Sequence, residues 1–206
     1  MVKRFLKQKI DEGETTLFLT NKDLLKRLEI NLHGCRMCRL ANSRNRLVFG
    51  EGNRNADLMF IGEAPGREED KKGRPFIGRA GMLLRRMLSD LGIADDEVYI
   101  TNIAKCHPPY DRDPKKDEVA ACKPFLEQQI DLIQPEVIVA LGRISSSVLI
   151  GEEISITKVH GRIYEYRGIK IIPVYHPAFI IRNPSMRPPA TKDLLKAKEI
   201  LGGKNG

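Results

Sequence analysis

The sequence predicts an α/β domain: three α/β/α layers around a central, mostly parallel four-stranded sheet. Three observations predict it. Short apolar runs at 58–61, 97–105, 137–141 and 169–174 each stop at turn residues, the mark of strands buried on both faces. Helical stretches fall between these runs, so strand and helix alternate along the chain. Glu63, Asn102 and His176 sit at or near strand ends, and right-handed parallel crossovers bring such ends to one edge of the sheet. The 206 residues suffice for one well-cored domain, 1–206, and are too few for two large ones.

The elements follow in order. Residues 1–20 are mixed, and the first thirty have no assigned role. Asn21 can cap a helix over 21–32, where Leu24, Leu25, Leu28 and Leu32 fall at helical spacing. A turn then carries Cys35 and Cys38. The polar stretch 42–55 contains a possible short strand at 47–49. The run 58–61 ends at Gly62-Glu63-Ala64-Pro65-Gly66, and 67–74 reads as a charged loop broken by Pro75-Phe76. Leu83, Leu84, Met87, Leu88 and Leu91 stripe a helix over 78–91 that Gly92 ends. The strand 97–105 leads into Cys106-His107-Pro108-Pro109, and a long helix over 115–133 carries Cys122. Gly142 closes the strand 137–141, ahead of a short helix at 145–150. Two strands, 156–166 and 169–174, are joined through Arg167-Gly168. Tyr175-His176-Pro177-Ala178 is the last strand-end turn, and Thr191 caps a final helix through Leu201.

Composition narrows the function. With 41% apolar residues the chain is not a disordered one, and no apolar segment approaches a membrane span. The N-terminus has basic residues but no apolar core and no cleavage site of a secretory signal, so the chain reads as intracellular and cytoplasmic. Thiols stay reduced there, and four Cys then favour metal or catalysis over disulfides. A formal charge of +8 and a pI near 9.4 suit a polyanionic partner, nucleic acid first, although a merely soluble basic protein has the same signature. The wealth of Lys, Arg and Glu suits a heat-adapted source.

Cys35-x2-Cys38, then Cys106, then fifteen intervening residues to Cys122, can close a four-thiolate site. Zinc usually takes two tight pairs, and the second pair here is loose. The spacing leaves open an iron–sulfur cluster, zinc, or four buried thiols that bind nothing. Either metal would stitch the first helix to the loop after the second strand, a structural role.

These residues also carry a resemblance. GEAPG at 62–66 with Glu68-Glu69-Asp70 after it, GRPFIGRAG at 73–81, TNIAKC at 101–106, LGR at 141–143, HG at 160–161, and HPA at 176–178 with IIR at 180–182 resemble the family 4 uracil-DNA glycosylases. This is the iron–sulfur type of archaea and thermophilic bacteria. The likeness runs from about Cys35 to Pro184 and leaves 1–30 and 185–206 outside it. It implies the fold above and a 4Fe-4S cluster on Cys35, Cys38, Cys106 and Cys122, with zinc the less favoured occupant. It implies a monofunctional enzyme that flips uracil from DNA, hydrolyses its N-glycosidic bond and leaves an abasic site, in base excision repair of deaminated cytosine.

The site residues follow from the resemblance, and each fits a requirement of the chemistry. Leaving uracil is anionic, so a donor must meet its O2; this is His176. A carboxamide that accepts from N3–H and donates to O4 reads uracil; Asn102 matches. Phe76 matches the stacking aromatic, and Glu69 falls where a bulky group bars the thymine methyl. Gly62, Glu63 and Ala64 form a wall of the pocket. Ala64 stands where the best-known uracil-DNA glycosylase family has an Asp that helps the attacking water, so the motif supplies no general base there, and Glu63 is the acid left to orient the water. Ile180 and Ile181 would wedge into the vacated stack, with Arg182 on phosphate or in the groove. Gly66, Arg79, Lys105 and Arg143 are further candidates to meet phosphates.

Uracil-containing DNA is the implied partner, a sliding clamp or other repair protein is a further candidate, and the chain reads as a monomer. The alternative is a non-catalytic, or very tight, uracil-DNA-binding iron–sulfur or zinc protein. Relatives that grip uracil-DNA in that way carry GEQPG and a basic His-bearing insertion; position 64 here is Ala, and no such insertion is visible.

Overall fold

The computed structural model describes residues 6–7 and 18–202. In chain order, a two-residue ribbon pairs β1 (Leu6–Lys7) with β2 (Phe18–Leu19). There follow α1 (Asn21–His33), β3 (Glu51–Gly52), β4 (Leu58–Gly62), α2 (Arg67–Lys72), α3 (Arg79–Asp90) and β5 (Val98–Asn102). The chain continues through α4 (Lys116–Ile133), β6 (Val137–Leu141), α5 (Arg143–Ile150), α6 (Ile156–Val159) and β7 (Tyr164–Tyr166). It ends with β8 (Ile169–Val174), α7 (Pro177–Arg182) and α8 (Arg187–Gly202).

The main sheet has the order β3-β5-β4-β6-β8-β7. Its four inner strands are parallel: β4 pairs β5 and β6, and β6 pairs β8. The expected four strands are therefore its centre, but the sheet has six. The two additions are antiparallel edges, β3 on β5 and β7 on β8. Neither edge has the length to show a pattern. β3 is two residues, and a Cβ on its Gly52 would come within 2.1 Å of the Val98 carbonyl oxygen. β7 turns into β8 through Arg167 and Gly168, both left-handed (φ 54° and 81°), the backbone that a tight hairpin requires.

Alternation along the inner strands builds the layers. Met59 and Ile61 face one core with Leu25, Leu28 and Leu32 of α1, Leu126 and Ile130 of α4, and Leu149 of α5. Leu58 and Phe60 face the other, with Leu84 and Leu88 of α3, Ile180 of α7 and Leu194 of α8. Every residue of β4, β5 and β6 is buried, which is why these strands read as unbroken apolar runs.

Four further expectations are corrected. Residues 67–72 are the helix α2, with acids in its first turn and lysines in its last, a charge order that suits the helix dipole. Residues 47–49 join no ladder: Val48 N donates to Lys105 O at 2.8 Å, and Phe49 O accepts from Thr101 Oγ1 and Gln129 Nε2. The single strand expected over 156–166 is a helical turn, α6, then β7. Thr191 lies inside α8 and donates to Arg187 O at 3.0 Å rather than capping the helix.

Candidate active site at the sheet edge

The carboxyl ends of β4, β5 and β8 open into one pocket of about 360 Å³. Glu63, Ala64, Glu69, Phe76, Asn102, His176 and Arg182 all line it. Strand-end placement brings together residues more than a hundred positions apart.

Asn102, the last residue of β5, is 2% exposed, and its carboxamide Oδ1 is buried without a hydrogen-bond partner. A buried acceptor left open is costly unless something fills it. Gly62 is paired with Asn102 across the ladder. A Cβ at position 62 would lie 2.4 Å from Asn102 Oδ1 and 2.5 Å from Phe76 Cζ, so glycine keeps the pocket floor open.

Phe76 holds a left-handed backbone (φ 50°) that costs a non-glycine residue strain. Two contacts fix it. Gly81 passes so close that an added Cβ would be 1.8 Å from Phe76 O. The Glu69 carboxylate accepts from Ile77 N at 2.9 Å and Gly78 N at 2.7 Å, tying the loop to α2. Phe76 is both a core residue and a pocket wall, its ring 6.0 Å from that of His176.

His176 caps α7, and its Nδ1 accepts from Ala178 N at 3.1 Å. Nδ1 therefore holds a lone pair, and a neutral ring carries its proton on Nε2. Burial pulls its pKa down to about 4, and the Arg182 guanidinium adds to that. The ring is thus a neutral donor at neutral pH. Gly142 makes room for it: at φ 92°, an added Cβ would meet His176 Cβ at 2.9 Å.

Glu63 is pushed up to about 7 by burial first and by Asp113 second, with Arg143 opposing. Asp113 also lines the pocket, and Arg143 Nη2 donates to it at 3.0 Å. Sequence reasoning missed Asp113, because a polar turn after a loop carries no signal of where it folds back.

The DNA candidates separate. Ile180 is 3% exposed and packs in the core beneath α7, so it cannot leave as a wedge; Ile181 is half-buried and Arg182 exposed. Lys105 is fully buried and reaches no phosphate.

The four cysteines line a second, small pocket between α1, α4 and the loop after β5. Arg44 Nη1 donates to Cys106 Sγ and Lys105 N to Cys122 Sγ, each at 3.3 Å. Burial raises the Cys106 thiol to about 11 and the Cys122 thiol in the same direction. Among the described residues, no three His, Cys, Asp or Glu side chains are arranged to hold a single metal ion.

The model of the uracil DNA glycosylase superfamily matches residues 49–198, from the edge strand to the last helix. A type-4 uracil-DNA glycosylase of Sulfurisphaera tokodaii is 43% identical over 204 residues, covering 89% of this chain and 93% of its own. The chain belongs to the type-4 uracil-DNA glycosylases. The corresponding protein of Thermotoga maritima is 44% identical over 186 residues, 88% of this chain and 97% of its own. That of Saccharolobus solfataricus is 46% identical over 179 residues, 82% of this chain and 83% of its own. The type-4 match extends upstream of the family model and takes in the cysteine-bearing segment. No helix among the described residues is long and apolar enough to cross a membrane.

Proposed function

We propose that the chain is a monofunctional uracil-DNA glycosylase that removes uracil arising from deaminated cytosine and leaves an abasic site. The observation that carries the reading is the open Oδ1 of Asn102, buried at the pocket floor beside Gly62. Uracil supplies the missing donor at N3–H, and its O4 accepts from the Asn102 amide. Cytosine presents the opposite pattern and is refused by a fixed carboxamide.

Each further role comes from the resemblance and fits the geometry. Phe76 forms the stacking wall. His176 Nε2–H, neutral and poised, donates to uracil O2 as negative charge builds there, and the bond to C1′ breaks toward an oxocarbenium-like sugar. Glu63, with Asp113 at its side, orients the attacking water. Glu69 serves the thymine bar through the loop that it braces. Flipping costs a few kcal/mol and is easiest at a mispair, such as uracil opposite guanine. Ile181 fills the vacated stack with Ile180 as its buried anchor, and Arg182 meets the backbone. Among the described residues, no lysine lines the pocket to form a Schiff base, which supports base removal without strand cleavage.

The four thiols suit a 4Fe-4S cluster better than zinc: two tight cysteines at the end of α1 and two separate ones, in a pocket with hydrogen-bond donors at Cys106 and Cys122. Bound there, the cluster supplies a covalent staple between α1, the loop after β5 and α4. Purified protein should absorb visible light and contain iron, and zinc without colour would oppose the assignment. A DNA-bound monomer inside a prokaryotic cell, with a sliding clamp as a further partner, completes the proposal.

The test is a single-uracil oligonucleotide incubated with the protein and then heated in alkali. Cleavage at the uracil position, absent before alkali, is the expected result. Retention of DNA with uracil never released would favour the non-catalytic alternative.

A further inference from the structure

Lys105 carries an amine that the base chemistry leaves unused. It lies on the turn after β5 and is completely buried. An ammonium at that depth is costly, and an apolar side chain of similar length would serve the core as well or better. What holds it is specific. Nζ donates to the main-chain carbonyl of Asn102 at 2.6 Å and to Thr101 Oγ1 at 2.7 Å. Thr101 in turn donates to Phe49 O at 2.8 Å. The backbone of Lys105 is fixed on both sides: its N–H donates to Cys122 Sγ at 3.3 Å, and its carbonyl accepts from Val48 N at 2.8 Å. The side chain thus folds back over the strand end from an anchored base.

The peptide linking Asn102 to Ile103 is clamped at both of its polar groups. Lys105 holds the carbonyl, and the Ile103 N–H donates to Gly62 O at 2.9 Å. Fixing that peptide plane fixes the Cα–Cβ bond of Asn102, the base from which its side chain reaches into the pocket.

We propose that Lys105 is a positioning residue for Asn102, and that its clamp on the Asn102 carbonyl sets the backbone from which that side chain meets the base. This rests on the reading of Asn102 as the uracil reader. The test is a double-mutant cycle between Lys105→Met and Asn102→Ala, reading single-turnover excision and the inhibition constant of free uracil, on protein whose circular dichroism is that of wild type. Lys105→Met should lower the excision rate about 10–100-fold, the scale of a small misplacement at a reacting centre, and should raise the uracil inhibition constant. On the Asn102→Ala background it should change neither. Thr101→Val, which removes one of the two acceptors of Nζ together with the bond to Phe49 O but leaves the Lys105 clamp on Asn102 O, should move both readouts the same way by less, and it decides the matter where Lys105→Met does not fold.

Folded Lys105 and Thr101 variants with wild-type rate and inhibition constant would overturn the proposal. So would effects that add in full to those of Asn102→Ala, because a merely structural lysine has no reason to couple to that side chain. Should Asn102→Ala alone leave uracil inhibition unchanged, the reading of Asn102 fails, and the proposal fails with it.

Discussion

Gly62 and Asn102 work as one unit at the pocket floor, and the least change there is the sharpest probe. Gly62→Ala puts a methyl within 2.4 Å of Asn102 Oδ1. Excision should fall at least about 100-fold, and the melting temperature should fall with it, since the methyl would also lie 2.5 Å from the buried Phe76 ring and force it to shift; kinetics and a thermal melt check both. The titrating residues predict opposite pH effects. His176 is depressed to about 4 from an ordinary 6.5, so its contribution to stability is full above pH 6.5 and is lost as pH falls through about 4. Glu63 is raised to about 7 from 4.5, so its contribution is present at low pH and declines as pH rises through about 7. If its carboxylate orients water, excision should rise with pH up to about 7, and Glu63→Gln should flatten that limb of the profile. Asn102, Phe76 and His176 were picked out through the motifs of the resemblance, and all three line one pocket. The roles of Asp113 and Lys105 were not legible there. Their importance lies in what a turn brings them against, and no spacing records that.

At the scale of elements, α7 shows why two neighbouring isoleucines have different jobs. Six residues of helix are too short for a stripe to reveal which side is core. Ile180 faces the core and Ile181 does not. Ile180→Ala should cost about 2–5 kcal/mol of stability, whereas Ile181→Ala should leave the melt near wild type and weaken excision from duplex DNA more than from single strands. Denaturant titration and paired kinetics distinguish them. The same reasoning explains where the sequence misled. The inner strands were visible because burial on both faces leaves an unbroken apolar run. The edge strands β3 and β7 hold two and three residues and bury little. The helix α2 is all charge, so it has no apolar period, yet Glu69 and Asp70 are both buried, and Asp70 accepts from Asn45 N.

The whole molecule combines a polar, neutral-donor pocket with a net charge of +8, and the two should respond differently to salt. Binding to DNA should weaken linearly in log salt as counterions compete, while inhibition by uncharged free uracil should not change; a common dependence would place the charge inside the pocket rather than around it. Asn102 lines the pocket at the sheet edge and Lys105 and Cys106 line the cysteine pocket, so the two pockets share one short stretch of chain. In the proposed mechanism, catalysis consists chiefly of stabilising the departing base through a neutral His176. The decisive measurement is single-turnover release of uracil from a single-uracil duplex, wild type against His176→Ala, with DNA affinity measured alongside. The rate should be lower by about 10²–10³ with affinity unchanged; release within a few-fold of wild type would refute that mechanism.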